Sequence, residues 1–172
     1  MSRINALTFK SSNPRKNLPD SVRRKRTELL FQNAFLRLWI DSVRETGVGG
    51  SQFELSNCGI ADYIWINSSR QIDAFEFKMS NWKSGLIQAV RYKNYASRSF
   101  LVLPMKIAQR ISKEEKALRQ FNVGLYGFDV KNKEIELLLS PKLEKPLNSV
   151  AYNKALNILL RKRNFRQFCE CA

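Results

Sequence analysis

Two carboxylates and one lysine in the middle of the chain have the types and spacing that metal-dependent chemistry requires. Asp62 lies in an apolar extended segment, and Glu76 and Lys78 end the next such segment. A polar turn, Asn67-Ser-Ser-Arg70, separates the two segments, so we expect them to pair as a β-hairpin. Pairing would bring Glu76 and Lys78 back towards Asp62. Burying such charges is costly, and a divalent cation between the two carboxylates would offset that cost.

The alternation of side chains along a strand sorts the charged residues of the second segment. Glu76 and Lys78 are two residues apart and point to one face, whereas Phe75 and Phe77 point to the other. Asp73 is an odd number of residues from Glu76 and is expected to face away from it. Asp73 is therefore left out of the predicted site. The alternative for Glu76 and Lys78 is a solvated ion pair at a strand edge, and Asp62 could simply begin a strand.

The chain contains no histidine, which limits the chemistry available to it. Ser-His-Asp and Cys-His catalysis, histidine-dependent zinc sites and nucleases with a histidine base or ligand are excluded. A metal site must then use oxygen ligands, which favours Mg²⁺ or Mn²⁺. The three cysteines have no metal-type spacing and are expected to be free thiols in a reducing compartment.

The charge balance predicts a polyanionic partner. The 172 residues include 30 lysines and arginines against 15 acidic residues, a net charge of +15, which points to nucleic acid. No apolar run approaches a membrane span, and the N-terminus lacks an apolar secretory segment, so a cytoplasmic location is expected. The alternative for the basic runs is a solvated charged surface. The candidate phosphate contacts are Arg23, Arg24, Lys25, Arg26, Arg161, Lys162, Arg163 and Arg166.

The elements around these residues are those of an α/β domain. Residues 1–19 form a basic arm, 20–140 the main domain, and 141–172 a basic C-terminal helix packed on it. A first helix is predicted from Asp20 or Ser21 to about Arg44. Its predicted apolar face consists of Val22, Leu29, Leu30, Ala34, Phe35, Leu38 and Trp39.

Glu28 on the first helix has two interpretations. It could be an exposed partner of Arg24 one turn earlier, or a further carboxylate of the metal site. After this helix, Gly47-Val-Gly-Gly50 is predicted to break the pattern, and a short strand follows at residues 51–57.

A second helix is predicted after the hairpin, from Ser80 or Asn81 to about Ala96. Gln88 and Tyr92 are four residues apart on it and share one face, where they could also be ordinary residues flanking a core helix. A strand at 99–103, a helical segment, a strand pair at 123–130 and 134–139, and a last helix from residue 148 complete the chain.

This pattern resembles the PD-(D/E)XK nuclease superfamily, which has the restriction-endonuclease-like fold. The resemblance rests on Asp62, on Glu76-Phe-Lys78, and on Gln88-Ala-Val-Arg-Tyr92 in the next helix. It extends over about residues 20–130 as an order of elements. Ala61 stands where the motif's name has proline, as in many members.

The resemblance implies a mixed β-sheet flanked by helices in the order αβββαβ, with an extra C-terminal strand pair and helix. It implies a Mg²⁺-dependent nuclease, with DNA favoured over RNA. Asp62, Glu76 and the backbone carbonyl of Phe77 would hold the ion, and Lys78 would activate water or stabilise the transition state. Gln88 and Tyr92 would position the phosphate or the attacking water.

Two alternatives remain at this stage. A Holliday-junction-type resolvase of the same fold would cut four-way junctions, as a homodimer. A non-catalytic basic nucleic-acid-binding protein would use the basic clusters alone, with a purely structural acidic pair. A homodimer is also expected if both strands of a duplex are cut.

Overall fold

A mixed β-sheet flanked by helices forms the centre of the protein. A computed structural model describes residues 19–43, 46–114 and 116–161, and the backbone of 166–168. The first elements follow the predicted order αβββαβ, and the predicted C-terminal strand pair and helix are present. The elements are α1 (Asp20–Ser42), β1 (Gly47–Leu55), β2 (Gly59–Asn67), β3 (Ile72–Phe77), α2 (Trp82–Tyr92), β4 (Arg98–Pro104), α3 (Met105–Glu114), α4 (Lys116–Gln120), β5 (Gly124–Asp129), β6 (Glu134–Leu139), α5 (Ser149–Arg161) and β7 (Arg166–Phe168). Apart from Pro19, the predicted basic arm lies outside the described residues.

The strand directions bring the ends of several strands together at one edge of the sheet. The order of strands in the sheet is β6-β5-β4-β3-β2-β1-β7. β2 runs antiparallel to both of its neighbours, β1 and β3. β3, β4 and β5 run parallel, so their carboxyl ends meet at one edge. Because β2 runs against β3, its amino end lies at that same edge. We call it the carboxyl edge.

Helix α1 covers one face of the sheet with aromatic side chains. Phe35 and Trp39 pack edge-on against Phe77 and Phe75 at centroid distances of 5.3 and 4.8 Å. Such contacts contribute about 0.5–1.5 kcal/mol each beyond area burial. The predicted apolar face of α1 was partly wrong, because its buried residues begin only at Phe31. Val22, Leu29 and Leu30 are exposed, since only the second half of the helix packs on the sheet.

The other face of the sheet is covered by α2, α3, α4 and α5. Leu86 of α2 and Leu118 of α4 pack with strands β4 and β5, whereas Leu156 of α5 packs with β1 and β2. Both faces of β3 are therefore covered, and all six of its residues are buried. No helix in the described residues is long and apolar enough to cross a membrane.

The helix ends before residues 47–50, as predicted, but the strand predicted from residue 51 begins earlier, because residues 47–50 belong to β1. The glycines are explained by close packing across the strand pair. A Cβ atom on Gly49 would overlap the hydroxyl of Tyr63 and would lie 3.0 Å from the ring of Trp65. A glycine-rich stretch therefore forms a strand where it faces large aromatic residues.

Candidate active site

The Glu76 side chain is buried near the end of the central strand β3, at the carboxyl edge of the sheet. It is 1% exposed, and its Oε1 lies 2.7 Å from the Lys78 ammonium. Its Oε2 lies 2.5 Å from the hydroxyl of Tyr92. Glu76 and Lys78 point to the α2 side, and Asp73 forms an ion pair with Arg98 instead, as expected from its odd spacing. The lysine and the carboxylate thus form a pair that is largely removed from water.

Asp62 lies where β2 and β3 separate. The last paired residues of these strands on this side are Tyr63 and Phe75. Beyond them, Asp62 Oδ2 accepts a 2.9 Å hydrogen bond from the main-chain N–H of Phe77, and Oδ1 accepts one of 3.3 Å from Gln52. The Asp62 side chain therefore replaces a main-chain acceptor of the sheet, which directs a carboxylate towards the end of β3.

The electrostatics of this group favour an additional cation. Burial and then the nearby Asp62 raise the pKa of Glu76 to about 7. Burial also raises the pKa of Asp62, although the Phe77 N–H bond and the Lys78 charge oppose the shift. For Lys78 burial lowers the pKa, but pairing with Glu76 outweighs it and the net shift is upward. Lys78 is therefore charged at neutral pH, and its one charge does not fully compensate the two carboxylates.

Tyr92 holds Glu76 in place. Its hydroxyl lies 2.6 Å from the carbonyl of Ile60 and 2.5 Å from Glu76 Oε2. A phenol has one proton, so it can donate to both acceptors only in turn, unless Glu76 carries a proton and donates to Tyr92. Tyr92 is 1% exposed, so the prediction that it contacts the phosphate or the attacking water does not fit its position. Its position fits a role in orienting Glu76.

Helix α2 lies directly over the stems of these side chains because residue 85 is glycine. A Cβ atom on Gly85 would be 2.7 Å from Leu101 Cδ1, 2.8 Å from Lys78 Cγ and 3.7 Å from Glu76 Cγ. The helix begins after Asn81, whose side chain accepts a hydrogen bond from the main chain of Ser84. The close approach of α2 therefore fixes the direction of the Lys78 side chain.

The other predicted site residues differ in how they contact the cluster of Asp62, Glu76 and Lys78. Gln88 is half-buried, one turn before Tyr92, and its side-chain amide makes no hydrogen bond to the described residues. Glu28 accepts a 3.3 Å hydrogen bond from the main-chain N–H of Met79, and its charge acts on both Asp62 and Lys78. It forms no ion pair with Arg24 among the described residues, so that interpretation was wrong. The main-chain carbonyl of Phe77 points to the Asp62 side, because the N–H of the same residue does.

The two predicted basic clusters lie in different places. Arg23, Arg24, Lys25 and Arg26 are exposed on the first turns of α1, and the first two line a cavity together with Glu28, Met79 and Ser80. Arg161 ends α5 and lines a cavity with Lys154, Asn157 and Ile158. Lys162 and Arg163 lie outside the described residues, and Arg166 is described only by its backbone in β7. The α1 cluster is thus the one that adjoins the candidate site.

Three residues of this region were not predicted from the sequence. Gln52 donates to the Asp62 carboxylate, and the buried Gln32 donates to the Asp62 main-chain carbonyl at 2.9 Å. Gly85 creates the space for Lys78. The only signal for Gln32 was its position one turn after Glu28, and Gln52 could not be distinguished from any polar residue on an exposed strand face.

The residues present suit a hard cation, but they are few. Within the described ranges, no group of three or more His, Cys, Asp or Glu side chains could hold a metal ion. Glu76 Oε1 is buried and faces the Lys78 ammonium at 2.7 Å, which leaves its second lone pair without a donor among the described residues. A carboxylate oxygen with an unfilled lone pair beside a second carboxylate fits an oxygen-preferring ion. The donors would be Asp62, Glu76 and the Phe77 carbonyl, completed by water.

Comparison with known proteins adds a likeness of fold alone. No family model matches the sequence, and no match was found among curated proteins. The fold is similar to the solved structure of the SPO1766 protein of Silicibacter pomeroyi, a protein of unknown function, with a TM-score of 0.50 at 16% identity. The similarity covers 66% of this chain and 72% of that chain. The protein is an α/β protein with a mixed sheet flanked by helices.

Proposed function

We propose that this protein is a metal-dependent nuclease with a restriction-endonuclease-like core, acting on DNA. Asp62, Glu76 and the main-chain carbonyl of Phe77 would hold Mg²⁺ or Mn²⁺. The bound ion would supply an activated water and withdraw charge from the scissile phosphate. The absence of histidine is compatible with this chemistry, because every donor is an oxygen atom.

The observation that carries the proposal is the buried Glu76. Glu76 is 1% exposed, lies near a second carboxylate and has one lysine to compensate its charge. This arrangement costs folding stability, and a functional role would explain why it is present. The fold brings these residues together by separating β2 from β3 at Asp62 and by placing α2 over Lys78. The separation of the two strands and the position of the helix both support a functional role for Asp62, Glu76 and Lys78.

Lys78, Tyr92 and Gln88 would have different roles in phosphodiester cleavage. Lys78 is charged at neutral pH, which favours stabilisation of the negative transition state and orientation of water over deprotonation of water. Tyr92 would orient Glu76 from the core. Gln88 remains the candidate for a hydrogen bond to the phosphate, because it is half-buried and its amide has no partner among the described residues.

The nucleic acid would lie across the carboxyl edge of the sheet. Exposed lysines follow the ends of the three parallel strands: Lys83 after β3, Lys106 after β4 and Lys131 after β5. These lysines would place positive charge along this edge, where a phosphate backbone could contact it. The Asp129 carboxylate at the same edge accepts hydrogen bonds from the N–H groups of Lys131 and Asn132. The α1 cluster would extend this basic surface.

The experiment is a cleavage assay with purified protein on supercoiled, linear, single-stranded and four-way-junction DNA, and on RNA, with Mg²⁺ or with EDTA. Cleavage of DNA with Mg²⁺ and none in EDTA is expected. Glu76→Ala and Lys78→Ala should lose cleavage and keep most binding, whereas Lys142→Ala, at an exposed position on the opposite edge, should behave as the parent.

Two results would replace this proposal. Salt-sensitive binding that is indifferent to metal, with no cleavage of any substrate, would identify a non-catalytic binding protein. Strong preference for the junction over linear duplex would identify a resolvase. If both Glu76→Ala and Lys78→Ala cleave as well as the parent, the assigned site is wrong.

A further inference from the structure

We propose that Gln52 is a positioning residue, whose side-chain amide holds the Asp62 carboxylate in its metal-binding orientation. This inference rests on the proposed function and assigns a role to a residue that the motif does not contain. It is carried by the backbone conformation of Gln52, by its place opposite Asp62, and by the hydrogen bond between the two side chains.

Gln52 lies directly across the strand pair from Asp62. Ser51 pairs with Tyr63 and Phe53 pairs with Ala61, so Gln52 and Asp62 face each other between these pairs. The Gln52 amide donates to Asp62 Oδ1 at 3.3 Å, while the Phe77 N–H donates to Oδ2 at 2.9 Å. One oxygen is therefore fixed by the main chain of β3, and the other by a side chain of β1.

The backbone of Gln52 is strained in the middle of a strand. Its φ is +52°, a left-handed conformation that residues other than glycine rarely adopt. The strain coincides with a change of face along β1. Before it, Gly49 faces Tyr63 on the α1 side; after it, Phe53 and Leu55 pack on the opposite side with α5.

The change of face explains why the conformation exists, but not why the residue is glutamine. Glycine adopts this φ without strain, and glycine is already used in the same strand. Glutamine adds an exposed amide whose one side-chain hydrogen bond to the described residues is to Asp62. Partners that orient a metal-binding carboxylate typically affect metal affinity or activity by about 10–100-fold.

The test is the variant Gln52→Gly, which removes the amide and keeps the left-handed conformation available. The matched control is Asn57→Gly, because Asn57 also has a left-handed backbone (φ +67°) in the same hairpin and an exposed side chain. In EDTA both variants should unfold at the parental temperature or up to about 3 °C above it. Relief of the left-handed backbone strain alone would move the two variants together.

The variants should differ in their response to metal. For Gln52→Gly, the Mg²⁺ concentration giving half of the thermal shift should rise about 10-fold, and kcat should fall about 10-fold with KM for DNA within about twofold. Gln52→Asn keeps an amide and tolerates positive φ, so it should recover part of both losses. Asn57→Gly should match the parent in all three measurements.

The outcomes separate this inference from the proposed function. If the parent cleaves DNA and Gln52→Gly responds to Mg²⁺ as Asn57→Gly does, the role of Gln52 is refuted and the proposed function stands. If the parent shows neither cleavage nor a Mg²⁺-dependent thermal shift, both are refuted. A loss of stability in EDTA specific to Gln52→Gly would assign the amide a structural role and also overturn the inference.

Discussion

The hydroxyl of Tyr92 and the carboxylate of Glu76 form a 2.5 Å hydrogen bond between helix α2 and the central strand of the sheet. Both residues are 1% exposed, so neither group can exchange this partner freely for water. The contact couples the position of helix α2 to the orientation of a single carboxylate, and Tyr92 lies on the core side of the candidate site.

Tyr92→Phe should therefore weaken catalysis while keeping the fold. The ring still fills the core, but Glu76 Oε2 and the Ile60 carbonyl lose a donor. We expect a loss of about 1–2 kcal/mol in the free energy of unfolding and about a 10-fold fall in kcat. The control is Tyr95→Phe, because the buried Tyr95 hydroxyl has no partner among the described residues and its removal should be neutral.

Gly85→Ala should reduce activity although it favours the helix. Alanine improves helix propensity by about 1 kcal/mol over glycine. Its Cβ would nevertheless collide with Leu101 and with the Lys78 stem, so α2 or Lys78 must move. We expect at least a 10-fold loss of kcat with near-parental DNA affinity. Ile87→Ala, at an exposed position of α2, is the control and should change neither quantity.

The stability of the metal-free protein should fall as the pH rises from about 4.5 to about 7. The folded-state pKa of Glu76 is raised to about 7, so the unfolded chain releases this proton first and gains stability relative to the folded state. The full effect is on the order of 3 kcal/mol. Denaturant unfolding in EDTA at pH 5 and pH 8 measures it.

Glu76→Gln provides the comparison for that titration. The variant lacks the titrating group, so its stability should change less than the parent's between the two pH values. Parallel pH profiles for parent and variant would contradict the assigned electrostatics.

Lysines of the carboxyl edge should contribute to DNA binding more than lysines elsewhere. The double variant Lys106→Gln/Lys131→Gln should weaken binding and reduce the slope of log K against log salt by about 1.8 on duplex DNA. Lys142→Gln/Lys145→Gln removes the same charge from exposed positions near the amino ends of β4 and β5. Equal effects of the two double variants would show that only net charge matters.

Much of the fold followed from local sequence patterns. The polar turn between two β-rich segments predicted the β2–β3 pair, and the odd spacing of Asp73 placed it away from Glu76. These predictions succeeded because strand alternation and turn chemistry depend on adjacent residues. The αβββαβ order of elements was predictable for the same reason.

The details of the site depend on contacts between distant elements, which local patterns do not contain. The strand at residues 47–50 was missed because its glycines are required by close packing against Tyr63 and Trp65 of the neighbouring strand β2. The left-handed Gln52 and the separation of β2 from β3 arise from packing on opposite faces of the sheet. The buried position of Tyr92 likewise follows from how closely α2 approaches the sheet.

The claim that Asp62 and Glu76 together bind a divalent cation can be tested directly by crystallography with Mn²⁺. An anomalous difference map should show a peak bonded to one carboxylate oxygen of each residue, and the peak should be absent in Glu76→Gln crystals grown under the same conditions. A preparation that cleaves DNA with Mn²⁺ but shows its anomalous peak elsewhere, with Asp62 and Glu76 unbound, would contradict the account.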